Sequence, residues 1–503
     1  MTHRLIFLAP VLLAGCAVGP DYVRPTAATP PSFKTAPGWT AATPSDRIDR
    51  GKWWQLFGDA TLSSLSERAL AANQTIAQAA ATYAQARAAT REQRASLFPA
   101  VDLSGSGVRS GGGSRNRVTT VASGGSSGDG TGSGTGTGTT VSTGTSSNST
   151  YQVAIGASWE PDLFGRIRRT VENAEATAEA RRADLASSQL SILGELATNY
   201  FNLRAADAEI TLVQETIAGY ERALRIATNR YNAGIVARTD VFQAQSQLAT
   251  TRSELEGLQR NRRTYENAIA VLVGEPASSF TLAAAQWTPT VPAVPTGVPS
   301  GILQRRPDIA AQERAVAAAN AEIGVEQSAF FPTVTLSSEG GVQASGIGSL
   351  FSSSATLWSL GASVAQTLFD AGARSARVRQ ARAAYDAAVA SYRETVLEAF
   401  QDVEDQLTAA QILARQELLL REAATAATRT EAATLNQYQE GLITFTDVVT
   451  AQATALNARR SLLQASVDRQ TAAVALVQAL GGAWDGEGYP LLATPQATER
   501  NGA

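Results

Sequence analysis

The stretch YNAGIVARTDVFQAQ, Tyr231–Gln245, returns 207 residues later as YQEGLITFTDVVTAQ, Tyr438–Gln452, in a gap-free alignment. Each copy sets a glycine three residues after a tyrosine and follows it with Thr-Asp-Val. Glycine permits the left-handed backbone that ends a helix, and Thr or Asp shortly afterwards offers acceptors to the free N–H groups of the next helix. Gly234 and Gly441 are therefore predicted to close two helical hairpins. Thr239-Asp240 and Thr446-Asp447 are predicted to cap the helices that follow and to offset their dipoles.

The echo extends in both directions, so the chain reads as one unit written twice. Leu97-Phe98-Pro99-Ala100-Val101 is answered by Phe330-Phe331-Pro332-Thr333-Val334, and Asp162-Leu163-Phe164-Gly165 by Thr367-Leu368-Phe369-Asp370. Gly274 meets Gly481 in the same register as the turns. The organisation expected is a leader (1–15), an N-terminal segment (16–58), a first repeat (59–275), a Pro-rich link (276–300), a second repeat (301–482) and a tail (483–503). Each repeat reads as helix, strand, loop, strand, long helix, turn, helix.

The long helices announce themselves by an apolar stripe. Leu193, Leu196, Tyr200, Leu203, Ile210, Val213, Ile217, Tyr220 and Leu224 recur mostly three or four apart, and Val378, Tyr385, Val389, Tyr392, Val396, Phe400, Val403 and Leu407 do the same in the second repeat. That is coiled-coil spacing on a charged background. A helix from Arg166 to Asn232 would run roughly 100 Å, several times the thickness of a bilayer core, so it belongs in water.

Between the helices the period changes to two. In YQVAIGASW, Tyr151–Trp159, the residues Tyr151, Val153, Ile155, Ala157 and Trp159 share one face; in TLWSLGASVAQ, Thr356–Gln366, Trp358, Leu360, Ala362 and Val364 do so. Val101 and Leu103 open an equivalent segment, as do Val334 and Leu336. Apolar residues alternating with small or polar ones over about ten residues, with Trp near an end, mark a transmembrane β-strand. The Gly/Ser/Thr tract from Ser104 to Thr150 cannot bury a core and is expected to be a surface loop. Four strands cannot stand open in hydrocarbon, since every unpaired backbone group would cost several kcal/mol. The smallest common barrels have eight strands. The chain is therefore expected to share its barrel with copies of itself.

Composition removes other classes. The single histidine is His3 and the single cysteine is Cys16, so the rest of the chain holds no imidazole or thiol for acid–base, nucleophilic or zinc chemistry. A formal net charge of −3 over 503 residues gives no electrostatic case for nucleic acid. Neither an enzyme nor a cofactor is expected. At the start of the chain, Arg4 precedes an apolar run, Leu5–Leu13, that ends in Leu13-Ala14-Gly15-Cys16. This is a secretory signal too short to span a membrane, and the cysteine makes it resemble a bacterial lipoprotein signal, with Cys16 as the lipid-bearing residue.

Several stretches, taken in order, resemble the TolC-like outer-membrane efflux lipoproteins of the OprM/NodT branch. They are Gly19-Pro20-Asp21-Tyr22-Val23-Arg24-Pro25, Trp53-Trp54 with Phe57-Gly58-Asp59, Leu303-Gln304-Arg305-Arg306-Pro307-Asp308-Ile309 and Ala329-Phe330-Phe331-Pro332. The resemblance implies a mixed α and β membrane protein: a homotrimer whose four strands per chain make a twelve-stranded outer-membrane barrel, continued by a periplasmic α-helical barrel. It implies cargo from an inner-membrane pump of the resistance-nodulation-division (RND) type, passed through a periplasmic adaptor. At the hairpin tips it implies a gate, with Asp447 and Asp240 as acidic positions and Arg238 as a latch. The turns Gly234, Ile235, Gly441, Leu442 and Ile443 would dock the adaptor. Trp53 and Trp54 would pack a belt with the Pro-rich link, and Pro307-Asp308 would start a helix. Two other readings stay open: an outer-membrane component of type I protein secretion, and a lipid-anchored trimeric adhesin.

Overall fold

The computed structural model of the protein describes residues 17–27, 50–112, 146–292 and 306–482. The leader, Cys16, the middle of the Gly/Ser/Thr tract, Leu303-Gln304-Arg305 and the tail after Gly482 lie outside the described residues. In chain order the elements are α1 (Ala60–Ala72), α2 (Gln74–Ala95), β1 (Ala100–Gly112), β2 (Ser146–Trp159), α3 (Arg166–Asn232), α4 (Arg238–Leu272), α5 (Pro307–Ser328), β3 (Thr333–Ala344), β4 (Thr356–Ala365), α6 (Ala373–Glu440) and α7 (Phe445–Ala479).

The duplication is written in backbone geometry. α3 and α6 have 67 and 68 residues, α4 and α7 have 35 each, and α2 and α5 have 22 each. Left-handed glycines fall in pairs 207 residues apart: Gly165 and Gly372 (φ 84° and 89°), Gly234 and Gly441 (72° and 81°), Gly274 and Gly481 (76° and 86°). The first pair corrects the sequence alignment. Gly372, rather than Asp370, answers Gly165, and the shared Leu-Phe letters were a two-residue slip. What fixes this junction is the positive φ together with an aspartate that caps the coming helix. Asp162 accepts from the Ile167 and Arg168 N–H groups, and Asp370 from those of Gly372 and Arg374.

The chain forms two compact units that cut across the repeats. One takes Met1–Gly19, Arg91–Val171 and Gly324–Val378; the other takes the remainder. The first holds a single antiparallel sheet in the order β1-β2-β3-β4. Its register keeps the expected alternation intact, because directly paired residues share a face. Leu103 lies opposite Ile155, Trp159 opposite Leu336, and Val334 opposite Val364. That apolar face is open, with Trp358 81% and Leu360 80% exposed. The other face carries Asp102, Ser104, Ser106, Gln152, Glu339 and Ser363, and Gln152 donates to Glu339 at 2.7 Å. The Gly/Ser/Thr tract is not all loop. β1 runs to Gly112 and β2 starts at Ser146, so both ends of the tract join the ladder, Gly107 opposite Tyr151 and Gly112 opposite Ser146. Cross-strand pairing overrides weak local propensity there.

In the same unit the first described residues are strapped to the sheet's helical junction. Val18 N–H donates to Phe164 O at 3.0 Å, and the Arg169 guanidinium donates to Val18 O and Gly19 O. Contact is so close that a Cβ on Gly165 would meet Ala17 Cα at 2.8 Å.

The second unit buries the stripes read from sequence. Leu193, Leu196, Tyr200, Leu203 and Val213 are buried on α3, and Tyr392, Val396, Val403 and Leu407 on α6. Trp53 and Trp54 do pack into this core, edge to face, beside Phe57, Phe201 and Phe280 of the link. Asp59 caps α1 through the Thr61 and Leu62 N–H groups and accepts from Tyr200 Oη at 2.6 Å. The link itself is clasped by buried charges. Asp207 sits between Arg204 and Arg262, whose guanidiniums also donate to Ala283 O and Leu282 O. Pro307 opens α5 as expected, and Arg306 pairs with Asp308 and Asp402 while donating to Ala479 O. Asp402, half exposed on α6, thus ties the start of α5 to α6.

Candidate functional site

The two hairpins meet at their tips, and the turns are built alike. Gly234 N–H donates to Tyr231 O and Ile235 N–H to Arg230 O, both at 2.9 Å; Gly441 N–H donates to Tyr438 O (3.0 Å) and Leu442 N–H to Gln437 O (2.9 Å). These bonds answer carbonyls that a helix C-terminus leaves open, and they require the glycine to be left-handed.

The helices that follow start differently. α7 is capped by Thr444 in a capping box: Asp447 accepts from Thr444 N–H (3.0 Å) and Thr444 Oγ1 (2.7 Å). Those bonds from Thr444 hold the Asp447 carboxyl below the ordinary carboxylate range. α4 starts after Ala237, which has no side chain to cap with. The caps therefore lie at 237 and 444, two residues before the Thr-Asp pairs, and neither Thr239 nor Thr446 occupies one. Only the second aspartate belongs to a capping box. Asp240 turns to the other hairpin and accepts from Tyr438 Oη at 3.3 Å.

Tyr438 is the centre of the tip. It is buried with Phe445, Val448, Val241, Ala244, Ala223 and Ala227, and its ring meets Phe445 edge to face at 5.2 Å. Burial first, and the neighbouring Asp240 second, push its phenol up to about 12. Arg230, in the last turn of α3, lays its guanidinium 4.8 Å from the ring centroid. The same group donates to Tyr438 O and, at 3.0 Å, to Gln439 O. Both carbonyls sit in the last turn of α6, where a positive charge also complements the helix dipole.

Sequence reasoning missed Arg230 and Tyr438. The signal available was the departure from repetition, Arg230 against Gln437 at the equivalent place. Arg238 does not make the cross-hairpin contact; its guanidinium lies 5.1 Å over Phe242 of its own helix. Of the turn residues, Ile235 and Leu442 are exposed, while Ile443 is half-buried against the Tyr438 cluster. Space around the glycines also differs. Nothing lies within 4 Å of a Cβ on Gly234, whereas one on Gly441 would meet Arg230 Nη2 at 3.4 Å. The site thus joins the two hairpins through a shared apolar cluster, the Arg230 guanidinium on the end of α6 and the Tyr438–Asp240 hydrogen bond.

Both the sequence and the fold that carries these hairpins have known counterparts. The profile of the family described as "Outer membrane efflux protein" matches residues 65–275 and 298–482, one match per repeat. The chain belongs to this family. It is 31% identical to the antibiotic efflux pump outer membrane protein ArpC of Pseudomonas putida, over 96% of both chains. It is 29% identical to the cation efflux system protein CusC of Escherichia coli O6:H1, over 95% of this chain and 98% of CusC. Its structure matches the outer-membrane channel OprN with a TM-score of 0.80 at 30% identity, covering 93% of this chain and all of OprN. As a member of the efflux family the protein is an outer-membrane channel for export, mixed in helix and sheet, in a family of transport channels.

Proposed function

We propose that this outer-membrane efflux protein is the passive exit duct of a tripartite system, a homotrimer fed by an inner-membrane RND pump through a periplasmic adaptor. The observation that carries the reading is the open four-stranded sheet, apolar and exposed on one face and polar on the other. Four staves with two unpaired margins are stable in lipid only when copies close them. Three copies give twelve strands, and α3, α4, α6 and α7 of each copy wall the periplasmic tunnel.

The hairpin tips form the gate in this reading. Asp240, Tyr438 and Arg230 hold the two hairpins of one copy together, and Asp447 and Asp240 from three copies ring the mouth. The turns at Gly234, Ile235, Gly441 and Leu442, with Ile443 as a partly packed flank, dock the adaptor. Cys16 carries the lipid, the only covalent group required. Ala17–Gly19 are strapped to the junction beside β2, which would lead acyl chains on Cys16 to the barrel's periplasmic rim. ArpC and CusC are similarly close to this chain yet are named for different cargo. The duct therefore sets no narrow cargo class, and selection lies with the pump.

The test pairs two measurements. Purified protein should have the mass of three chains and conduct as a large gated pore in planar bilayers, with Asp447→Ala raising the open fraction. Deletion of the gene should sensitise cells to exported small molecules, and protein secretion should be unaffected. A monomer without conductance refutes the duct; a secretion defect with unchanged susceptibility moves the protein to type I secretion.

A further inference from the structure

Within the sheet, β1 and β4 each keep one margin unpaired. The internal duplication supplies what those margins need. β3 repeats β1 with an offset of 233 residues, as Pro332 repeats Pro99, and β4 repeats β2 with the offset of 207 that the glycines share. The ladders obey these offsets: Val101 pairs with Ala157, and their counterparts Val334 and Val364 pair with each other. The seam between β2 and β3 is thus an image, inside one chain, of a seam between β4 of one copy and β1 of the next. We infer that copies of this chain join in that register, with Val364 of one copy opposite Gly105 of a second copy, Ser363 opposite Ser106, and Trp358 opposite Gly111. The inference rests on the reading that copies share one barrel, and adds how they join.

Four observations support this register. First, it derives from an observed pair, since Ala157 opposite Ser338 transforms into Val364 opposite Gly105. Second, it keeps the faces. Trp358, Leu360 and Val364 lie on the apolar face, as do Leu103, Gly105 and Gly111, and a slip of one residue would turn one set inward. Third, the shapes fit. A Cβ on Gly105 or Gly111 would meet nothing within 4 Å inside the chain. The bulky β4 residues would cover those bare positions, as Trp358 already faces Gly340 on its other side. The stagger stays uniform as well: within the chain, two strands carry Val101 to Ser338, four residues past Val334, and the new seam carries Val334 to Gly105, four past Val101. Equal stagger at every seam gives a barrel of constant tilt.

The test is disulfide trapping in the full-length lipoprotein, whose single native cysteine is Cys16. Ser106→Cys with Ser363→Cys places the thiols on the polar face, in the directly opposed geometry with Cα atoms about 4.5–5.5 Å apart that a disulfide accepts. Ser104→Cys with Ser363→Cys and Val108→Cys with Ser363→Cys are the versions slipped by two residues. Copper-phenanthroline oxidation in isolated outer membranes should link the first pair between chains several-fold faster than either control. Faster linkage of a slipped pair, or none in protein whose native mass is three chains, overturns the register. A native mass of one chain would instead remove the shared barrel.

Discussion

Removing the Arg230 side chain should loosen the paired tips without unfolding either hairpin. The contact consists of the stack on the Tyr438 ring and hydrogen bonds to Tyr438 O and Gln439 O. Hydrogen bonds from a charged donor contribute about 1.5–3 kcal/mol, and a partly exposed stack about 0.5–1. Water replaces the lost donor at both carbonyls, and Gly441 N–H still reaches Tyr438 O. The net cost of Arg230→Ala should therefore be about 2 kcal/mol per copy, more than tenfold in the ratio of joined to separated tips. Tyr438→Phe deletes only the donor to Asp240 and should cost about 1 kcal/mol. Arg230→Lys keeps a charge near the end of α6 but loses the planar fork and should fall between them. Open probability in planar bilayers is the readout, and it should rise in the order wild type, Tyr438→Phe, Arg230→Lys, Arg230→Ala. Arg238→Ala is the contrast, because that guanidinium lies on Phe242 of its own helix. If Arg230→Ala gates like the wild type while Arg238→Ala opens the channel, the assignment of the latch is wrong.

Three further outcomes are expected. Asp207→Ala would leave Arg204 and Arg262 buried without their shared carboxylate, at about 3–5 kcal/mol; protease cleavage within the clasped link, around Leu282 and Ala283, should accelerate, and an uncleaved link would refute the clasp. Gly274→Ala combines a left-handed φ of 76° with a Cβ placed 2.4 Å from Ala72 O. It should cost about 2–4 kcal/mol and lower the melting temperature, whereas Gly234→Ala, with open space, should cost only about 1 kcal/mol. Gly234→Trp should abolish efflux while leaving assembly and surface delivery intact, and unchanged drug resistance would remove the docking role of that turn.

What the sequence made legible follows from locality. The stripes on α3 and α6 and the alternation in β2 and β4 are periodic in short windows, so Leu196, Val396, Ile155 and Leu360 could each be assigned a face. The glycine turns were legible because the chain states them twice. Contacts closed by distant backbone were not. Arg230 bonds carbonyls about 208 residues away, which carry no side-chain signature. The strand ends in the Gly/Ser/Thr tract exist through their partners, as Gly107 does beside Tyr151. The Leu-Phe echo misled because it matched letters, whereas the junction is set by a positive φ at Gly165 and Gly372. Placing the caps at the Thr-Asp pairs failed for a related reason: helix starts are fixed by the turn's geometry, and that admitted Ala237 as well as Thr444.

Divergence between the two tips separates holding from folding. Equal lengths for α4 and α7 follow from the duplication, but the tips differ at a few positions. Thr444 and Asp447 cap α7 from within its own hairpin, so that hairpin keeps its helix start whether or not it touches its neighbour. Ala237 gives α4 no such cap, which leaves Asp240 available to bind Tyr438 across the gap. Had both repeats kept Thr at the cap, both aspartates would serve their own helices and the cross-hairpin acceptor would be lost. Had both kept Ala, the second hairpin would lose its independent start. Arg230 against Gln437 has the same sense, placing the charged donor on the holding hairpin and the bonded carbonyls on the held one. Breaking the polar latch therefore costs a few kcal/mol, and full separation of the tips would add the cost of exposing the apolar cluster that the two hairpins share. The polar part lies within the 1–3 kcal/mol typical of coupling between sites, so an adaptor that opened the tips would have to favour their separation by that much and also cover the Tyr438–Phe445 cluster it exposes.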